Sequence, residues 1–272
     1  MNFATVTGSA RAQRLAREVV HEVSLSMRPG QREVDVARRI DDGLARAGVH
    51  RFLHTAYAWW GERTRFARFV DWEPDALPTT RAIEEGEPFI LDVAPIVGGY
   101  VADYALSGTL GADGPQAASG GVHGELLAVL RDLKKAIAAF ARTAKGGGEL
   151  TRRVGRLIDD EHLDAIHPMY PGHVLGHSLE PFPSVFERVP TVGRGFQASL
   201  LGAYAVALVR HQLGRARYPL INFEDRGPIQ GLWAVEPHVA RGDVGAKFES
   251  ILIVDGDETR WLDGDLFGEV AS

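Results

Sequence analysis

The chain contains no cysteine, which excludes disulfides, thiolate metal ligands and cysteine nucleophiles together. It carries little net charge, −6 over 272 residues, with acidic and basic side chains interspersed. That distribution argues against a nucleic-acid partner. Long hydrophobic runs are also missing: the most apolar stretch, Phe196 to Val209, is too short and too interrupted to span a bilayer. It reads as a core helix. The N-terminus, MNFATVTGSARAQRLAREVV, lacks the apolar centre of a signal peptide, so the expected location is cytoplasmic, with no membrane partner. There is no linker-like or low-complexity tract, and 45% apolar residues can fill one core. Residues 1–272 therefore read as a single domain.

Helical periodicity is clear in four places. Leu15, Val19, Val23 and Met27 predict an amphipathic helix over Ala10 to Met27, ended by Pro29-Gly30. Val36, Ala37, Ile40 and Leu44 predict a second, from about Glu33 to Ala47, with Gly48 as its stop. After a β-rich region from about Phe52 to Leu106 come a long helix from about Val122 to Ala144 and another from Glu149 to about Leu163, separated by Lys145-Gly-Gly-Gly148. PGQREVDVARRIDDGL and GGGELTRRVGRLIDDEHL share the order Gly turn, helix, Ile-Asp-Asp. Two such helix pairs, each beside strands, predict duplicated halves related by a pseudo-twofold axis.

The chemistry is carried by four carboxylates. In LDVAPIVGGYVADYAL, Gly98-Gly99 is a two-residue hairpin signal. With those glycines as the turn, opposite positions sum to 197, so Asp103 faces Ala94 and lies diagonal to Asp92 on one face. In GLWAVEPHVARGDVGAKFESILIV, a turn at Gly242-Asp243 makes opposite positions sum to 485, which sets Glu236 directly across from Glu249. Like charges so placed repel and need a positive charge between them. Within these strands only Lys247 is near, on the face of Glu249 but not opposite it. Buried carboxylates without a partner are costly or shift their pKa, so a cation shared by the four is the expected solution. A cluster of oxygens with an imidazole suits Mn, Co, Fe or Zn, and two such ions can share a hydroxide that attacks a carbonyl. The imidazole is expected from PGHVLGHSLEPFP, whose His173 and His177 flank Gly176, a residue that permits close backbone approach.

These segments resemble the pita-bread metallopeptidases, the group of methionine aminopeptidase, Xaa-Pro aminopeptidase and prolidase, with creatinase as a metal-free relative. LDVAPIVGGYVAD is similar to the family's Asp-x-Gly…Gly-Tyr-x-Ser-Asp, and AVEPHVARGDVGAKFES to its Ile-Glu-Pro…Gly-Val-Arg-Ile-Glu-Asp. RPGQREVDVARRIDDGLARAG is similar to the N-terminal helix pair. The resemblance implies an α/β pita-bread fold: pseudo-twofold halves and a curved, mainly antiparallel sheet covered by helices. It also implies two divalent transition-metal ions, with Asp92 on one, Asp103 and Glu249 bridging, and Glu236 and a histidine on the second. His177 fits the prolidase-type motif and His173 the methionine aminopeptidase form. Glu236 would carry protons. The implied activity is hydrolysis of an amide C–N bond in a short peptide or peptide-like molecule, and the relatives imply a homodimer.

The peptide-handling positions depart from that pattern. The family's upstream substrate-contacting histidine would fall in DWEPDALP, which has none, and His54 lies well upstream of it. The histidine that follows the ligand is Ser184 or Glu180 here, Thr-Arg-Thr is Ala105-Leu106-Ser107, and Phe186 to Gln230 is inserted sequence. Substrate contacts are therefore expected from His173, His238 and Trp60. The pair Trp59 and Trp60, with Phe66 and Phe69, reads either as pocket lining or as core. His162 and His167 read as surface residues, and Arg241-Gly-Asp243 as a turn. Two other readings stand beside the hydrolase: a non-peptidase metalloenzyme on this scaffold, such as an iron-dependent tailoring enzyme, and a binding paralogue without catalysis.

Overall fold

The computed structural model describes residues 3–116, 120–186 and 188–264. The first half opens with α1 (Phe3–Leu25) and α2 (Glu33–Arg46), followed by β1 (Phe52–Trp60), a 3-10 turn at Gly61–Arg65, α3 (Trp72–Ala76), β2 (Pro88–Val97), β3 (Tyr100–Val101), β4 (Tyr104–Gly111) and β5 (Gly114–Gln116). The second half has α4 (Gly121–Thr143), α5 (Gly147–Asp160), β6 (Asp164–Ala165), β7 (Gly176–Ser178), α6 (Ala198–Gln212) and β8 (Leu220–Ile221). It closes with β9 (Gly231–Val235), β10 (His238–Arg241), β11 (Val244–Lys247), β12 (Ser250–Asp255) and β13 (Glu258–Trp261).

Each half begins with a helix of 23 residues and then one of 14. The shorter helices also end alike. Gly48 and His162 both take the left-handed conformation, with φ of 83° and 54°. The next N–H returns to the last turn in each, Val49 to Leu44 and Leu163 to Ile158, which is a Schellman stop. The shared Ile-Asp-Asp does not coincide in space: it lies mid-helix in α2 and in the last turn of α5. The duplication is one of helix pairs, not of that tripeptide.

All strand pairings between the named strands are antiparallel, in three sheets ordered β1-β2-β4-β5 (with β3 on β2), β11-β10-β6 and β13-β12-β9-β7-β8. Helices α1 and α2 bury Ala16, Val20, Val36 and Ile40 against β1, β2 and β4. Helices α4 and α5 do the same in the other half, through Leu130, Ile137, Val154 and Ile158. The opposite, inner faces of the strands remain for the site.

Two expectations fail. The aromatic segment after Phe52 is strand only to Trp60, because Gly61 turns into the left-handed region (φ 55°) and opens the 3-10 turn. Glu33 holds that corner: its carboxylate accepts hydrogen bonds from the N–H of Trp60 (3.0 Å), Arg63 Nε (2.9 Å) and the N–H and hydroxyl of Thr79. The apolar run from Phe196 is helical but is not core. Of α6 only Ser199 is buried, while Leu201 and Val209 are 70% and 58% exposed, because the inserted segment lies over β1 instead of entering a sheet-helix interface. The other end of the insertion is seated on the Gly146–Gly148 run. A Cβ at Gly147 or Gly148 would come within 2.3 or 2.8 Å of Asp225 Oδ2 or the Phe223 carbonyl. Asp225 accepts the Gly147 N–H there (3.0 Å), at the start of α5.

Candidate metal centre

The first hairpin turns at Gly98 and Gly99, both with positive φ (58° and 82°), the two-residue arrangement whose twist suits a hairpin. Its register keeps the sum of 197 along its length, from Val97 opposite Tyr100 to Asp92 opposite Ala105. Asp92 and Asp103 thus share one face. Between β3 and β4, Ala102 still donates its N–H to the Pro95 carbonyl (3.0 Å), and the ladder breaks at Asp103. There Gln13 of α1 takes over: its amide donates to the Asp103 carbonyl (2.7 Å) and its Oε1 accepts the Asp103 N–H (3.1 Å).

In the second hairpin, the β10–β11 and β9–β12 pairings both keep the sum of 485. Glu236 and Glu249 stand opposite each other, again in a break in the ladder. The compensating charge is Lys247. Its ammonium lies 3.0 Å from Asp92 Oδ2 and 3.5 Å from Glu236 Oε2, and it contacts Glu249 directly. Only 3% of its side chain is exposed. Ser107 of β4 fixes its backbone, donating to the Lys247 carbonyl (2.7 Å) and accepting its N–H (3.0 Å). That bond joins the two halves beside the acids.

His177 arrives on β7. Strand β7 lies so close to β9 that a Cβ at Gly176 would be 2.4 Å from the Ala234 carbonyl; glycine is required by that approach. His177 Nε2 then donates to Asp103 Oδ2 at 2.7 Å.

The protonation states follow from this geometry. Burial would raise Asp103, but the bond from His177 holds its carboxyl well below the usual range. Burial pushes Glu249 well above it, with Asp103 and Asp92 adding repulsion. Burial also raises Glu236, against the pull of Lys247. Lys247 would lose its proton through burial, but Asp92 and Glu249 hold it on. His177 is raised likewise, because its bond to Asp103 outweighs burial.

Three carboxylate oxygens in this cluster, Asp92 Oδ1, Asp103 Oδ1 and Glu249 Oε2, are buried without a hydrogen-bond partner. Native structures rarely leave such atoms unmatched. Hard, anionic oxygens beside imidazole form a donor set that fits a divalent transition metal.

His54, from β1, is an additional member of the cluster. Its Nε2 lies 3.7 Å from Asp92 Oδ1 and 3.9 Å from Asp103 Oδ1. Beside it, Tyr57 and Phe196 form an aromatic wall, with ring centroids 4.9 and 5.6 Å from the His54 ring. Phe196 belongs to the insertion, which pairs with the edge of β1 at His54. Nothing in the sequence spacing singled His54 out.

The remaining expected residues lie elsewhere. Trp60 does not line the site. Strand alternation turns it to the helix-side core, against Phe89, while Trp59 packs on the inner side with Phe66 and Tyr57. His238 sits one layer behind Lys247. Its Nε2 donates to the Thr64 carbonyl (2.7 Å) and its Nδ1 accepts from the Tyr170 hydroxyl (2.8 Å), so both nitrogens are engaged away from the acids. Burial pushes its pKa far down. His173 is exposed in a left-handed turn (φ 56°), its N–H donating to the Tyr170 carbonyl (2.8 Å). His167, expected at the surface, is fully buried, and it accepts the N–H of His238.

The sequence profile of metallopeptidase family M24 matches residues 8–255. The chain belongs to metallopeptidase family M24. Its pita-bread fold is shared with the X-Pro aminopeptidase of Thermotoga maritima, at a TM-score of 0.68 and 15% identity over 96% of this chain and 61% of that one. The prolidase of Pyrococcus furiosus gives 0.65 and 15% over 96% and 64%. The Xaa-Pro dipeptidase of Bacillus anthracis gives 0.64 and 15% over 96% and 61%. This M24 chain therefore spans 61–64% of the length of those structures. No curated protein sequence matches it. Among the described residues, no helix is long and apolar enough to cross a membrane.

Proposed function

We propose that this M24 chain is a divalent-metal-dependent hydrolase that cleaves an amide C–N bond in a short peptide or peptide-like substrate. The observation that carries this reading is the convergence of buried, unpartnered carboxylate oxygens from two hairpins of opposite halves. Asp92, Asp103, His177, Glu236 and Glu249 would hold the metal. A divalent ion there supplies Lewis acidity toward a carbonyl and acidifies water.

The chain's own groups have distinct tasks. Glu236 is the most open of the four acids, at 12% side-chain exposure, and burial favours its protonated form. It is suited to take a proton and pass it to a leaving amine. Lys247 keeps Asp92 and Glu249 in place and limits their repulsion. The wall of Tyr57 and Phe196 offers an apolar surface for a substrate side chain, and the place of Phe196 on the insertion would tune which side chain fits.

One observation favours a second reading, a non-peptidase metalloenzyme on the same scaffold. The position at which the peptidases keep the substrate-contacting histidine that follows the ligand is Ser184 here if His177 is that ligand, or Glu180 if it is His173; both are exposed, and Glu180 is paired with Arg210. A dipeptide and Xaa-Pro library assayed with Mn, Co, Fe or Zn separates the two. The hydrolase reading expects release of amino acids by the wild type and its loss in Glu236→Gln. Metal bound without any such release, together with oxygen consumption by the iron form, favours the second reading.

A further inference from the structure

We propose that His54 is a ligand of the metal ion held by Asp92 and Asp103, a nitrogen donor from β1 that the M24 motif spacing does not supply. The proposal rests on the metal-dependent reading above. Its first support is the backbone. Along β1 the partners run Phe52 with Pro95, His54 with Ala94 and Tyr57 with Asp92, so the register slips twice within six residues. In a regular strand, residues 54 and 57 would point to opposite faces. The added residue puts His54 and Tyr57 on the same face, that of Ala94 and Asp92. Bulges that re-aim a side chain recur beside active sites.

The second support is the tautomer. His54 Nδ1 lies 3.0 Å from the Thr55 carbonyl, and a carbonyl only accepts, so Nδ1 carries the hydrogen. The Nε2 lone pair is left facing the acids. Of the atoms it approaches, Asp92 Oδ1 and Asp103 Oδ1 are the buried oxygens without a partner. Three electron-rich atoms therefore meet within 4.8 Å of one another with no donor among them. At 3.7 and 3.9 Å the separations are too long for direct hydrogen bonds. They are near the ~3.4 Å between neighbouring ligands of a tetrahedral ion with ~2.1 Å bonds. His54 is held in this place by the Phe196 ring and by the paired Thr55 and Gly195 backbones, with only 9% of its side chain exposed. The pairing of Lys247 with Asp92 Oδ2 and Glu249 leaves Asp92 Oδ1 to this side.

The test uses metal-stripped full-length protein and Co(II) alone, titrated against a competing chelating dye, on wild type, His54→Gln and His177→Gln. Chelated samples are first checked for an unchanged melting temperature. Loss of about 100-fold in Co(II) affinity is expected for His54→Gln. Pulsed electron paramagnetic resonance of the Mn(II) forms supplies the second readout. Imidazole nitrogen modulation should survive in His177→Gln and vanish in the His54→Gln, His177→Gln double variant. If His54→Gln binds Co(II) as tightly as wild type and the double variant loses nothing that His177→Gln retained, His54 is no ligand, whatever the fate of the hydrolase reading. If wild type takes up no Co(II) at all, the metal-dependent reading itself fails and the ligand with it.

Discussion

Gln13 clasps the backbone of Asp103 at both ends, giving a hydrogen to its carbonyl and taking one from its amide. A residue near the N-terminus thereby fixes the carboxylate that also meets His177 and faces His54, at the point where the β-ladder is interrupted. Glu236 and Glu249 likewise sit at ladder breaks, and Ser107 clasps Lys247 in the same two-ended way.

Gln13→Ala is expected to loosen that point. Two backbone groups of Asp103 lose their partners, which destabilises the fold by roughly 1–3 kcal/mol. Metal affinity should fall about 10- to 100-fold, as when other groups that orient ligands are removed. Urea melts of the metal-free protein and a Co(II) titration measure the two effects.

Lys247→Met removes the ammonium that sits among three buried acids and the half-buried Glu236. Breaking such a network by deleting one partner is expected to lower stability by about 3–5 kcal/mol in chelator. Added Mn(II) should return more stability to this variant than it gives wild type, because the ion takes over part of the missing charge. Thermal melts with and without Mn(II) provide the comparison.

The hairpins were legible because their turns are. Gly98-Gly99 and Gly242-Asp243 fix register, and register fixes which acids face each other. The helix pairs were legible from spacing, though α1 begins at Phe3, seven residues before the Ala10 expected from its apolar stripe. His54 was not legible, since a bulge adds a residue without a turn signal and reverses every inference from alternation. The role of Lys247 was half legible. Sequence placed it on the face of Glu249, but only the length of its stem lets one ammonium reach Asp92, Glu236 and Glu249 together. Trp60 and α6 misled for a common reason: apolar composition says that a residue packs, not on which side of a strand or whether the surrounding segment joins the core.

Acid should destabilise the metal-free protein through two buried histidines as pH falls below neutrality. Burial pushes His123 and His167 down from 6.5 to about 4. The unfolded chain therefore takes up protons at a higher pH than the folded chain. The stability these neutral imidazoles contribute is full above pH 6.5 and is lost as pH falls toward 4, up to roughly 3 kcal/mol for each. His123→Gln should flatten the profile by one such step. Urea midpoints at pH 7 and pH 5 in chelator check the sign and the size.

The most direct test of the account is the metal content of protein purified without added metal, and again after reconstitution with Mn, Co, Fe or Zn, for wild type and Asp103→Asn. Elemental mass spectrometry should find at least one divalent transition-metal ion per wild-type chain and little in the variant, with both proteins folded. A wild type that stays metal-free after every reconstitution would contradict the central claim that these converging carboxylates exist to hold a cation.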